Sequence, residues 1–198
     1  QPGAPLLDLE NDLRATEIAA EIMLQLWDSQ SQGGLKNHDD LIPLEQWAVG
    51  LQRLRTHYHG GIGPFPRHIL ENAENHCREL LASPTARLVL HGDLHHWNIL
   101  SAQRQPWLAI DPKGVIGDPA FEVAAWMLNP YPDLGNWPNL KQVTNRRLDQ
   151  FSEILALERQ RLLSWSLALA VLSAWWHIED NTKGFDHSIA IAELLFQL

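Results

Sequence analysis

The chain has 198 residues, 45% hydrophobic and 20% charged, a balance that buries one sizeable core and excludes a disordered chain. Its net charge of −9 argues against a nucleic-acid partner held through its phosphates. The single cysteine, Cys77, excludes an internal disulfide and suits a reducing cytoplasm, and no basic-then-apolar leader opens the sequence.

Gln1 to Leu7 is an apolar, proline-containing lead-in. Leu9, Leu13, Ala19, Ile22, Met23, Leu26 and Trp27 then share one helical face, with Asp8 placed to cap it. Asp28 to Asp40 is polar, contains Gly33-Gly34 and reads as a loop. Pro43 suits a first helical turn, and from there Trp47, Leu51, Leu54 and Tyr58 repeat at helical spacing. Gly60 to Pro66 breaks that helix. Arg67 to Leu81 forms a third, with Ile69, Leu70, Ala73, Cys77 and Leu80-Leu81 inward, and Ser83-Pro84 stops it.

Further on, Asp118-Pro119 caps a helix over Phe121 to Leu128, and Asn129 to Asn139, with its three prolines, is loop. Leu140 to Leu155 is amphipathic, with Val143, Leu148, Phe151 and Ile154-Leu155 apolar. Glu158 to about Asp180 is a long apolar helix, and His187 to Phe196 a last amphipathic one. Leu162 to Ile178 carries no Asp, Glu, Lys or Arg, close to the length of a bilayer span. Its serines and its charged flanks favour the centre of a helical domain instead. The fold class is mainly α with a small β-hairpin.

That hairpin carries the chemistry. His91-Gly92-Asp93-Leu94-His95-His96-Trp97-Asn98 lies between the apolar runs Leu88-Val89-Leu90 and Ile99-Leu100. After a turn over residues 101–106, Trp107-Leu108-Ala109-Ile110 ends on Asp111. Three oxygen-bearing side chains, Asp93, Asn98 and Asp111, therefore meet at one end of a hairpin. Phosphoryl transfer from ATP needs an aspartate to take the proton of the attacking hydroxyl and hard oxygen ligands to hold Mg2+ on the phosphates. Asp93, four residues, Asn98 and then Asp111 follow that order.

The run His-Gly-Asp-Leu-His-x-x-Asn-Ile-Leu, followed by Ile-Asp-Pro-Lys-Gly-x-x-Gly-Asp-Pro-x-x-Glu, resembles the aminoglycoside phosphotransferases. Within them it is most similar to the branch of streptomycin 6-kinases and hydroxyurea phosphotransferases. The resemblance runs from Pro2 to the Trp-Trp-x-x-Glu-Asp stretch at Trp175 to Asp180. It implies a protein-kinase-like fold and transfer of the ATP γ-phosphate to a hydroxyl of a small antibiotic such as streptomycin. Asp93 would be the catalytic base, and Asn98 and Asp111 the magnesium ligands. Nothing before Asp93 supplies a glycine-rich phosphate loop between strands, or a Val-Ala-x-Lys pattern. Residues 1–198 therefore read as a single domain, the C-terminal lobe alone, which would leave an apolar surface near Leu6-Leu7 and Trp107 for self-association.

The flanking residues take further roles. His95, two past Asp93, stands where protein kinases often carry a lysine facing the γ-phosphate, and Lys113 would bring a positive charge to the phosphates. His91 and Asp118 read as supports of the loop. Glu179, Asp180 and Asp186, around the end of the long helix, would hold a guanidinium or amine of a cationic substrate. Trp97 and Trp137 would stack on a ligand. Two alternatives stand beside this reading. His91-x-Asp93-x-His95-His96 is also dense in zinc or iron ligands, as a metal-dependent hydrolase needs. The chain would otherwise be a non-catalytic fragment that binds an acceptor.

Overall fold

The amide of Arg14 donates to the side chain of Asn11 at 3.1 Å, and α1 (Asp12–Ser31) starts there. Asn11, not Asp8, is therefore the cap, because Leu6–Asp8 is already wound into a short 3-10 turn. The stripe that α1 buries is Ala15, Ile18, Ala19, Ile22 and Met23, while Leu13 is exposed. The computed structural model describes residues 3–31 and 41–198, so the loop read around Gly33-Gly34 lies outside the described residues except at its start, where α1 continues to Ser31.

Then come β1 (Ile42–Pro43), α2 (Leu44–His57), α3 (Arg67–Ala82) and β2 (Leu88–Leu90). The hairpin is β3 (Ile99–Ser101) and β4 (Trp107–Ala109), and β5 (Val115–Gly117) follows it. The helices α4 (Glu122–Met127), α5 (Leu140–Leu155), α6 (Arg159–Glu179) and α7 (Phe185–Phe196) complete the chain. The α5 bounds coincide with the sequence expectation, because sixteen residues of one period leave little latitude.

The helix α6 is the axis of the body. Fourteen of its residues are buried, including Trp165 and Trp175, and it packs against α2, α3, α4, α5 and α7. A helix surrounded in this way needs no polar face. No described helix is long and apolar enough to cross a membrane.

Two small sheets sit at one end of this body. In the first, β3 pairs antiparallel with β4, Ile99 opposite Ala109 and Ser101 opposite Trp107. The lead-in adds to it: Pro5 bridges Leu100, and the amide of Ser101 donates to the carbonyl of Ala4 at 2.8 Å. This explains why Leu6 is fully buried and Leu7 and Trp107 are half-buried, so no open apolar surface exists at Leu6. The second sheet, in the order β1-β5-β2, is invisible in the sequence, because strands of two or three residues carry no readable period. It places the end of β2, where Asp93 follows, beside the start of β5, just after Asp111.

Candidate functional site

The loop between β2 and β3 is tied at both ends. The amide of Lys113 donates to the carbonyl of His91 at 2.7 Å, and that of Ile110 to the carbonyl of Asn98 at 2.9 Å. Gly92 lies between them at φ +82°, where a Cβ would come within 2.7 Å of Val115, so only glycine fits. His91 uses both ring nitrogens on the backbone: Nδ1 accepts from the Asp93 amide at 3.3 Å and Nε2 donates to the carbonyl of Ile110 at 2.8 Å. Burial pushes its pKa down, which keeps the ring neutral in this double role.

Asp93, Asn98 and Asp111 do come together. The Asn98 Nδ2 donates to the Asp93 carbonyl at 2.8 Å, which leaves its Oδ1 as a free acceptor on a side chain 8% exposed. The Lys113 ammonium lies 2.7 Å from Asp111 Oδ2 and 3.6 Å from Asp93 Oδ2. Both carboxylates therefore face one cation, on the same side of the molecule. Hydrogen bonding to Lys113 holds the Asp111 carboxyl below its ordinary range. Asp111 itself sits at φ +59°, a left-handed conformation that aspartate tolerates better than most residues.

His95 is turned inward. Its Nδ1 lies 3.3 Å from the Trp97 amide, and its Nε2 lies 3.4 Å from Asn98 Nδ2 and 3.6 Å from Asp93 Oδ1. Burial lowers its pKa and so favours the neutral ring, against the pull of the Asp93 carboxylate. Lys113 is the cation present instead.

Behind the loop is a second set of groups, most of which the sequence did not disclose. Glu122, fully buried at the start of α4, accepts from the amides of His91 at 2.6 Å and Gly92 at 3.0 Å. Burial pushes its carboxyl up to about 7, against the pull of those two amides. Asp118 caps the turn before α4 by accepting from Ala120 at 3.1 Å. It also accepts from Trp165 Nε1 at 3.0 Å and pairs with Arg161. His96 stacks on Trp126 with centroids 3.7 Å apart and accepts from Arg147. Arg147, 1% exposed, also pairs with Asp12 of α1 and donates to the carbonyls of Trp126 and Asn129. Its guanidinium lies over the Trp137 ring, 5.1 Å from the centroid. Trp97, in contrast, is 49% exposed.

Asp93 and Lys113 lie at the head of a cleft of about 640 Å³ that continues between α2, α6 and α7. Trp47, Trp176 and Tyr131 give it flat apolar walls, and Ser173, Ser188 and His187 polar ones. Glu179 and Asp180 do not line it. Arg53 takes both Glu179 oxygens, at 2.6 and 2.9 Å, and Asp180 caps the end of α6. The partner of Glu179 is 126 positions away and invisible to local inspection.

The hydrolase constellation also dissolves. His91 faces the Ile110 carbonyl and the Asp93 amide, His96 faces Arg147 and Trp126, and His95 lies 3.6 Å from the Asp93 carboxylate. Among the described residues no three His, Cys, Asp or Glu side chains converge as a metal site. For magnesium the donor set fits better: one free amide oxygen and one exposed carboxylate leave room for the phosphate and water oxygens that this ion prefers.

Comparison with known proteins gives a consistent picture. A family model described as aminoglycoside/hydroxyurea antibiotic resistance kinase matches residues 4–181. The chain is 30% identical over 193 residues to a streptomycin 6-kinase of Streptomyces glaucescens, covering 96% of this chain and 60% of that protein. It is 35% identical over 132 residues to a hydroxyurea phosphotransferase of Kitasatospora aureofaciens, covering 65% of this chain and 36% of the relative. The fold matches a crystal structure of a thermostable mutant of aminoglycoside phosphotransferase APH(4)-Ia in ternary complex with ADP and hygromycin B. The TM-score is 0.65 at 15% identity, over 100% of this chain and 68% of that one. The chain thus spans less than two thirds of the length of the streptomycin kinase it matches.

Proposed function

The chain belongs to the aminoglycoside/hydroxyurea antibiotic resistance kinase family, and from that premise we propose that residues 1–198 form the C-terminal, acceptor-binding lobe of an ATP-dependent phosphotransferase. Its acceptor is a hydroxyl of a small-molecule antibiotic, with streptomycin the first to test. The observation that carries this is the meeting of the Asp93 and Asp111 carboxylates around one ammonium, at the head of a cleft wide enough for a small molecule.

In this reading Asp93 orients the acceptor hydroxyl and takes its proton as the oxygen attacks the γ-phosphorus. The bond from that phosphorus to the β,γ-bridging oxygen breaks and ADP leaves. Asn98 and Asp111 would hold magnesium, which when bound supplies neutralising charge on the phosphates. Lys113 contributes a positive charge to the transferred group. Trp47, Trp176 and Tyr131 stack on the acceptor, and the cleft's serines and His187 position its hydroxyls. The acceptor is therefore gripped along the cleft and not by Glu179 and Asp180.

The test is 31P NMR of the complete enzyme that carries this lobe, with ATP, magnesium and streptomycin. ATP converts to ADP and a phosphomonoester, and Asp93→Asn slows this by roughly 10²- to 10⁴-fold. Wild-type turnover by Asp93→Asn, or ATP that stays intact with the wild type, contradicts the assignment.

A further inference from the structure

We propose that Lys113 is a resident cation at the nucleotide site: its ammonium holds the Asp93 and Asp111 carboxylates together until magnesium and nucleotide arrive, and then moves onto the terminal phosphate. This rests on the reading above, in which Asp111 and Asn98 are the metal donors.

Three observations support it. The ammonium occupies the Asp111 Oδ2 lone pair at 2.7 Å while facing Asp93 Oδ2 at 3.6 Å. A divalent ion on that carboxylate and the ammonium cannot share the position, since both are cations competing for one oxygen. The lysine backbone is fixed by its amide bond to the His91 carbonyl at 2.7 Å, but the side chain is 40% exposed, so the head group can move on its four-carbon stem while its base stays in place. The residue also lines the cleft beside Gly92 and Asp93, so the head group's reach extends over the space where a phosphate would meet an acceptor.

The choice of cation is itself informative. The carboxylates behind the loop, half-buried Asp12 and buried Asp118, are held by the planar forks of Arg147 and Arg161. At the front the holder is a lysine, a point charge with rotatable donors in an exposed pair of low net stability. Such a pair is made to be exchanged. It keeps two neighbouring carboxylates from repelling in the empty site, and it makes metal without nucleotide a poor competitor. Metal and nucleotide together succeed because the phosphate gives the displaced ammonium a new partner. Linkage then requires metal and nucleotide to strengthen each other's binding.

The experiment titrates Mn2+ into the purified chain without nucleotide and follows the free ion by electron paramagnetic resonance. Removing one positive charge a few ångströms from a dication makes Lys113→Met bind Mn2+ roughly tenfold more tightly than the wild type. Lys113→Arg, which keeps the charge, does not gain. The double variant Lys113→Met/Asp111→Asn loses what the single variant gained. Unchanged or weaker Mn2+ binding by Lys113→Met, with circular dichroism matching the wild type, overturns the resident-cation role and leaves the metal assignment standing. A gain that survives Asp111→Asn overturns the metal assignment beneath it.

Discussion

The two sides of the loop between β2 and β3 handle charge in opposite ways. Behind it, Asp118 and Arg161 are 2% and 9% exposed, and Asp118 has Arg161, Trp165 and Ala120 as partners. In front, Asp111 is 66% exposed and answers to a single lysine. The Asp118–Arg161 pair is buried, and removal of either partner leaves an uncompensated ion in the core. The front charges are exposed, as the proposed phosphate and metal site requires. The same three-residue vocabulary of Asp, Arg and Lys thus becomes scaffold or chemistry according to burial and the number of partners.

The sharpest way to break this contrast is to remove one cation from each side. Arg161→Met strands Asp118 and costs about 3–5 kcal/mol of stability in urea denaturation, the largest effect expected. Glu122→Gln comes next: one oxygen becomes an NH2 that faces the His91 or Gly92 amide, donor against donor. A loss of about 1–3 kcal/mol follows, with a lower kcat as the loop loses its register.

A smaller effect separates by pH. Burial first, and then the neighbouring Arg147, hold His96 down at about 2, far below its ordinary value of 6.5. Below about pH 6.5 the unfolded chain takes up a proton that the folded chain refuses, so stability falls as pH drops. The slope approaches about 1.4 kcal/mol per pH unit. His96→Gln lacks this proton, so the stability of the two proteins measured from pH 7.5 to 5 diverges with that sign. Parallel curves would show that the ring is not excluded from water. Smallest of all, Lys113→Met changes the stability read by urea denaturation by less than about 1 kcal/mol, because an exposed pair contributes little. A loss as large as that of Arg161→Met would erase the distinction between the two sides.

How much of this was legible depended on the length of each signal. The helices α3 and α5 were readable because sixteen residues share one period, and α6 because its apolar run is too long for anything but a central helix. The hairpin and its three oxygen donors were readable because they lie within nineteen positions, Asp93 to Asp111, where local spacing dictates geometry. Arg147 was not, since a basic residue in an amphipathic helix reads as surface. Only the fold reveals that it points inward to Asp12, 135 positions away. Glu122 stood at the end of the motif without a role, because its partners are backbone amides, which no sequence pattern encodes. The cleft was hidden for the same reason as the Glu179–Arg53 pair: its walls come from Trp47, Tyr131, Trp176 and His187, dispersed along the chain.

The claim on which all of this depends is that Asn98 and Asp111 hold the metal beside Asp93. A crystal grown with Mn2+ and a non-hydrolysable ATP analogue tests it directly through the anomalous signal of the metal. The account predicts a peak bonded to Asn98 Oδ1 and the Asp111 carboxylate at roughly 2.1–2.2 Å, with the terminal phosphate facing Asp93. A metal-nucleotide complex bound to neither residue contradicts it.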